Sequence, residues 1–227
     1  MTARIVGNAR QTSGVTRLAE GAEVALRMLR DGSLPTIGFI QAMSLEGRLM
    51  SVNAGTVTTP VGFGAGSMDS TEYDLAVIAP SSVAIIPVEI IINMEEYGTT
   101  AIFEAMWSYG LGGVVGTDTD LTIQNMNTLS PYESQCAAGC SSTASGTYWT
   151  SKSVEVSRWN AAKAVTVATA DDDSSWPPVQ FSWSAAESGC LPVISGIGAG
   201  FMVFAAAQAG TGFITAKWIE LPASVLS

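Results

Sequence analysis

The residues best suited to general acid–base or metal chemistry are missing from this sequence or stand alone. It contains no histidine. That removes the Ser-His-Asp and Cys-His nucleophile arrangements, the commonest general base, and nearly every catalytic zinc site. A lysine-based nucleophile would have to use Lys152, Lys163 or Lys217, and none follows a serine in an S-x-x-K spacing. Glu95 and Glu96 are paired carboxylates of the kind a glycosidase uses, but neighbours on a strand point to opposite faces and cannot flank one bond. The runs Gly62-Phe-Gly64-Ala-Gly66 and Gly196-Ile-Gly198-Ala-Gly200 have glycine at every second position. Neither leads into a Lys-Ser/Thr pair or a βαβ helix, so both read as turns or close strand packing, not phosphate cradles. The sequence therefore predicts a chain that is not an enzyme, with no catalytic residue and no cofactor.

Metal and ligand candidates are equally thin. Asp171, Asp172 and Asp173 lie together, as do Asp118 and Asp120, without the twelve-residue loop of an EF-hand, and read as acidic turns. Cys136 and Cys140 stand four apart, with Cys190 alone. That is a poor zinc pattern, and the pair forms either a local disulfide or partly buried thiols. The large rings Trp107, Tyr109, Tyr148, Trp149, Trp159, Trp176, Trp183 and Trp218 are the remaining candidates. They serve core and inter-subunit packing, or, as the alternative, a sugar-stacking platform built on Trp149 and Trp176. That alternative is a lectin-like β-sandwich, such as a receptor-binding virion protein.

The elements that hold these residues read as one helix and many strands. Residues 1–14 are small and polar, an arm. Val15, Leu18, Ala22, Ala25, Leu26 and Leu29 then recur at three- and four-residue steps, with Gly32 placed for a C-cap, and predict a helix over 15–30. Its apolar stripe needs a surface, so Leu18, Leu26 and Leu29 are the expected interface residues, docking on the same or an adjacent subunit. Strands are predicted over 36–42, 48–52, 55–60, 74–78, 82–93, 121–125, 152–159, 164–169, 179–183, 190–194, 200–206 and 212–221, and strand or short helix over 99–109. Pro87 requires a bulge or break inside its strand. Residues 128–151 read as a long Ser/Thr/Gly loop, and Asp171–Ser175 as a turn. The domain organisation is an arm and helix over 1–35, then a β-sandwich over 36–227.

Composition adds a hint about partners. Only 13% of the 227 residues are charged while 47% are hydrophobic, against roughly a quarter charged in an average soluble chain. A surface so short of charge suits cover by neighbouring subunits. The net charge of −10 is unevenly placed: residues 1–48 hold six arginines against four acids, the remainder four cations against sixteen acids. The dispersed arginines do not form a nucleic-acid arm, so no direct nucleic-acid contact is expected. No stretch reaches the roughly 20 apolar residues of a membrane helix, and residues 1–11 lack the apolar centre of a secretory signal, so no membrane partner is expected.

The arm and helix, the apolar strand over 85–93, the long Ser/Thr/Gly loops and the final pair Gly200-Phe-Met-Val-Phe-Ala and Thr211-Gly-Phe-Ile-Thr-Ala-Lys-Trp-Ile-Glu-Leu-Pro222 resemble single jelly-roll virion proteins of bacteriophages, either capsid or decoration (cement) subunits. The likeness spans about residues 36–222 and is one of layout. It implies a mainly β fold, a jelly-roll-like β-sandwich of about 8–10 strands with one N-terminal α-helix. It also implies a homo-oligomer, a trimer or higher assembly, contacting other capsid subunits in a virion made in the host cytoplasm.

Overall fold

A strand that turns an apolar side chain inward at every second position needs a second layer against which to bury that row. In the computed structural model, which describes residues 38–64, 67–96, 102–116, 119–141, 146–162, 180–189, 191–206 and 210–225, two antiparallel sheets supply those layers. The strands are β1 (Leu49–Ala54), β2 (Val61–Gly62), β3 (Leu75–Ala79), β4 (Val83–Glu96), β5 (Ile102–Leu111), β6 (Thr119–Asp120), β7 (Gln124–Asn125), β8 (Ala137–Cys140), β9 (Ser151–Ala162), β10 (Gln180–Ser184), β11 (Ile194–Ser195), β12 (Ala199–Ala206) and β13 (Thr211–Pro222). Two short helices accompany them, α1 (Phe39–Leu45) and α2 (Ala185–Ser188).

One sheet runs β10-β4-β13-β1-β7, and the other β6-β8-β3-β12-β5-β9. The described strands of five residues or more are β1, β3, β4, β5, β9, β10, β12 and β13. Counted in chain order, they lie as first-eighth-third-sixth in one sheet and second-seventh-fourth-fifth in the other. That is the jelly-roll order of an eight-stranded double sheet.

The inward rows meet in one core. Met50, Val52, Ile90, Ile92, Ile214 and Trp218 from the first sheet face Leu75, Val77, Phe103, Trp107, Phe201 and Val203 from the second. Aromatic pairs tie β5 to β10 across the layers, Trp107 with Trp183 at 4.5 Å between ring centroids and Phe103 with Phe181 at 5.1 Å. Fully burying each of these large side chains stabilises the fold by roughly 1.5–3 kcal/mol.

The bulge expected at Pro87 is present. Lys217 pairs with Glu89 and the next residue, Trp218, with Pro87, so Val88 is the extra residue. A bulge reverses the alternation. Before it, Val83 and Ile85 belong to the core; after it, Ile90, Ile92 and Met94 do. Proline lacks the N–H a regular ladder needs, which explains its place beside the irregularity.

Several expectations are corrected. The strand expected over residues 36–42 is replaced, from Phe39 onward, by α1. Its Ile40 and Met43, three apart and so on one helix face, pack on Leu49, Ile86, Val88 and Ile219 on the outside of the first sheet. Residues 55–60 form a loop closed by the Thr56 N–H to Thr59 carbonyl bond at 2.8 Å. The loop expected over 128–151 contains β8, which pairs with β3. The region over 99–109 is a strand, β5, in its described part. The arm, the helix over 15–30 with Leu18, Leu26 and Leu29, the strand over 164–169 and the turn over 171–175 lie outside the described residues.

Candidate functional site

The most polar constellation in the described core lies where β13 leaves it. The inward row Ile214, Ala216, Trp218 continues to Glu220, which is fully buried. A buried carboxylate is tolerable only when its oxygens are bonded. Glu220 Oε2 accepts from the Tyr132 hydroxyl at 3.0 Å and from the Gln135 backbone N–H at 3.2 Å. Oε1 accepts from the Trp218 indole N–H at 3.0 Å and from the Ser134 hydroxyl. Three of the four donors come from the loop between β7 and β8.

That loop is fixed from its other side as well. The Asn125 amide donates to the carbonyls of Gly47 at 2.9 Å and Tyr132 at 2.8 Å. The Arg48 guanidinium sits 4.3 Å from the centre of the Tyr132 ring, a cation–π contact. The segment 121–136 itself forms an open concavity of about 550 Å³, lined in part by Leu121, Ile123, Asn125, Tyr132, Ser134 and Cys136.

Its chemistry is that of an anchor. With both carboxylate oxygens engaged by four donors, Glu220 holds the loop in place and presents no idle lone pair to a substrate proton. The Tyr132 hydroxyl is pushed up to about 12, first by burial and then by the Glu220 charge, so it stays protonated and keeps donating. Burial, and then the same charge, also raise the Cys136 thiol, which is free. A thiol held protonated is a poor nucleophile. Sequence reasoning missed this cluster. The signal was there: Glu220 occupies an inward position in an otherwise apolar alternating row.

The proposed sugar platform is corrected at Trp149. This indole is buried, 7% exposed, on the outer face of the second sheet with Tyr73, Met106, Met202 and Phe204. Its N–H donates to Ser108 Oγ at 2.9 Å. Gly110 and Gly113 make room for it: a Cβ on either would lie 2.5 Å or 2.3 Å from the ring. The ring therefore packs between a loop and a sheet and has no free face for a sugar. Trp176 lies outside the described residues.

The other sequence candidates do not converge. Glu95 and Glu96 are exposed at the end of β4. Asp120 lies on β6, and Asp118 and Asp171 to Asp173 lie outside the described residues. Gly196 and Gly198 take left-handed backbone angles, φ 138° and 60°, in the turn between β11 and β12, the turn reading of that glycine run. Among the described residues no three His, Cys, Asp or Glu side chains gather as a metal site, and no helix is long and apolar enough to cross a membrane. No family model, curated protein or solved structure matches this chain.

Proposed function

We propose that this chain is a structural subunit of a virus particle, a phage-type capsid or capsid-decorating protein that assembles with copies of itself and with other capsid subunits. The observation that carries the reading is the strand order, β1-β13-β4-β10 against β3-β12-β5-β9. Double sheets in this order build viral capsid and lectin domains. Composition favours the capsid side: with 13% charged residues, the chain is suited to surfaces covered by neighbours. The polar constellation at Glu220 adds support, because it fixes a loop in the manner of a scaffold and not of a reaction centre.

Negative-stain imaging and sedimentation of the purified full chain test it. Rings, trimers or shells are the expected species. A chain that sediments as a single 23.5 kDa species at every concentration overturns the proposal.

A further inference from the structure

β9 is the outermost strand of its sheet among the described residues, twelve residues long and paired on one side with β5. It has no proline, and Ser151 to Glu155 are all exposed. A long edge of unpaired N–H and C=O groups is a template for another strand.

The side chains along this edge follow a pattern that is symmetric about one point. Ser157 lies opposite Trp107 and Glu155 opposite Ser108, which leaves Val156 as the extra residue of a bulge, packed against the core. Stepping outward, Arg158 lies opposite Met106 and Glu155 opposite Ser108, both on the outer face. Next, Trp159 lies opposite Ala105 and Val154 opposite Tyr109, both on the inner face. Read from the Val156–Ser157 step toward either end, the order is inner, outer, inner. The outer position is an acid in one direction and a base in the other.

We propose that two copies of this chain join through β9, antiparallel about a two-fold axis at the Val156–Ser157 step, merging their two six-stranded sheets into one. Paired residues on antiparallel strands share a face. This register sets Glu155 of each copy against Arg158 of the other, and Val154, 39% exposed, against the half-buried Trp159. Within one copy Arg158 already grips Glu155, through Nε at 2.9 Å and Nη2 at 2.8 Å, so the pair forms a four-charge cluster across the axis. An edge whose charges complement themselves selects a second copy over an unrelated strand. The inference rests on the self-assembly reading above and names its contact.

Sedimentation at matched concentrations tests it with charge variants of the full chain. Glu155→Arg alone and Arg158→Glu alone each bring like charges together across the axis. Each is expected to weaken association about ten-fold or more. Mixing the two single variants restores opposite charges at both contacts, and is expected to restore native association; that recovery also shows both are folded. The double variant Glu155→Arg/Arg158→Glu is expected to associate as the native chain does. Single variants that associate like the native chain, or a mixture no stronger than its components, overturn the β9 contact while leaving self-assembly standing. A native chain that never associates overturns both.

Discussion

Trp149 and Ser108 are 41 positions apart in sequence yet share a buried hydrogen bond, indole N–H to Oγ at 2.9 Å. Ser108 is fully buried on β5, and its hydroxyl is the polar partner that lets the indole lie buried among Tyr73, Met106, Met202 and Phe204. Ser108→Ala keeps the packing and leaves the N–H without its acceptor, at a cost of about 1–3 kcal/mol. Urea denaturation at fixed protein concentration measures it; a midpoint unchanged from the native chain refutes the arrangement.

The two glycines beneath that ring make a second prediction. A methyl at Gly110 would stand 2.5 Å from Trp149 Cγ, closer than packed carbons approach. Gly110→Ala is expected to destabilise by about 1–3 kcal/mol through overpacking. In a Trp149→Leu background the same substitution meets a smaller side chain and costs less. The double-mutant cycle reports the coupling. Additive costs place Trp149 elsewhere.

These relationships mark how far sequence reading reaches. β4 is legible because it is rich in Val and Ile, and β13 because Ile214, Ala216 and Trp218 alternate with more polar neighbours. Pro87 announces its bulge because it lacks a donor. β8 was not legible: Ala-Ala-Gly-Cys has no β-branched or aromatic residue, and only its pairing with β3 makes it a strand. α1 was misread because Phe39 and Ile40 are strand formers locally, whereas the surface formed by Leu49, Ile86 and Ile219 selects a helix with Ile40 and Met43 on one face. Trp149 looked exposed because its neighbours are Ser, Thr and Gly. Its true surroundings come from strands far away in sequence, and only the glycines at 110 and 113 hinted at a bulky guest.

The anchored loop supplies a third prediction. Tyr132→Phe removes one of four donors to a buried carboxylate, and is expected to cost about 1.5–3 kcal/mol, the range for hydrogen bonds to charged groups. Glu220→Ala removes the acceptor shared by all four and is expected to cost more than Tyr132→Phe. Denaturant midpoints rank the two variants. An order reversed from this one, or a Glu220→Ala chain as stable as the native one, contradicts the anchoring role.

Asp74 predicts a pH dependence. It is 1% exposed at the entry to β3, its Oδ2 accepts from the Ala205 backbone N–H at 2.5 Å, and Oδ1 has no hydrogen-bond partner among the described residues. Burial, assisted by the nearby Glu72 charge, holds its carboxyl well above the ordinary value of 3.8, against the pull of the backbone N–H groups of Ala205 and Gly64. The folded chain therefore keeps a proton that the unfolded chain releases near 3.8. By linkage this group's contribution is complete below that pH and is lost as pH rises through the folded value, at about 1.4 kcal/mol per pH unit within the window. Asp74→Asn has nearly the same shape and no proton to lose, so its stability relative to the native chain should rise with pH from the unfolded value of 3.8 up to the raised folded value. Urea midpoints of both chains at pH 4, 5, 6 and 7 provide the comparison. Two parallel profiles mean that Asp74 is ionised in the folded state and that the proposed cause is wrong.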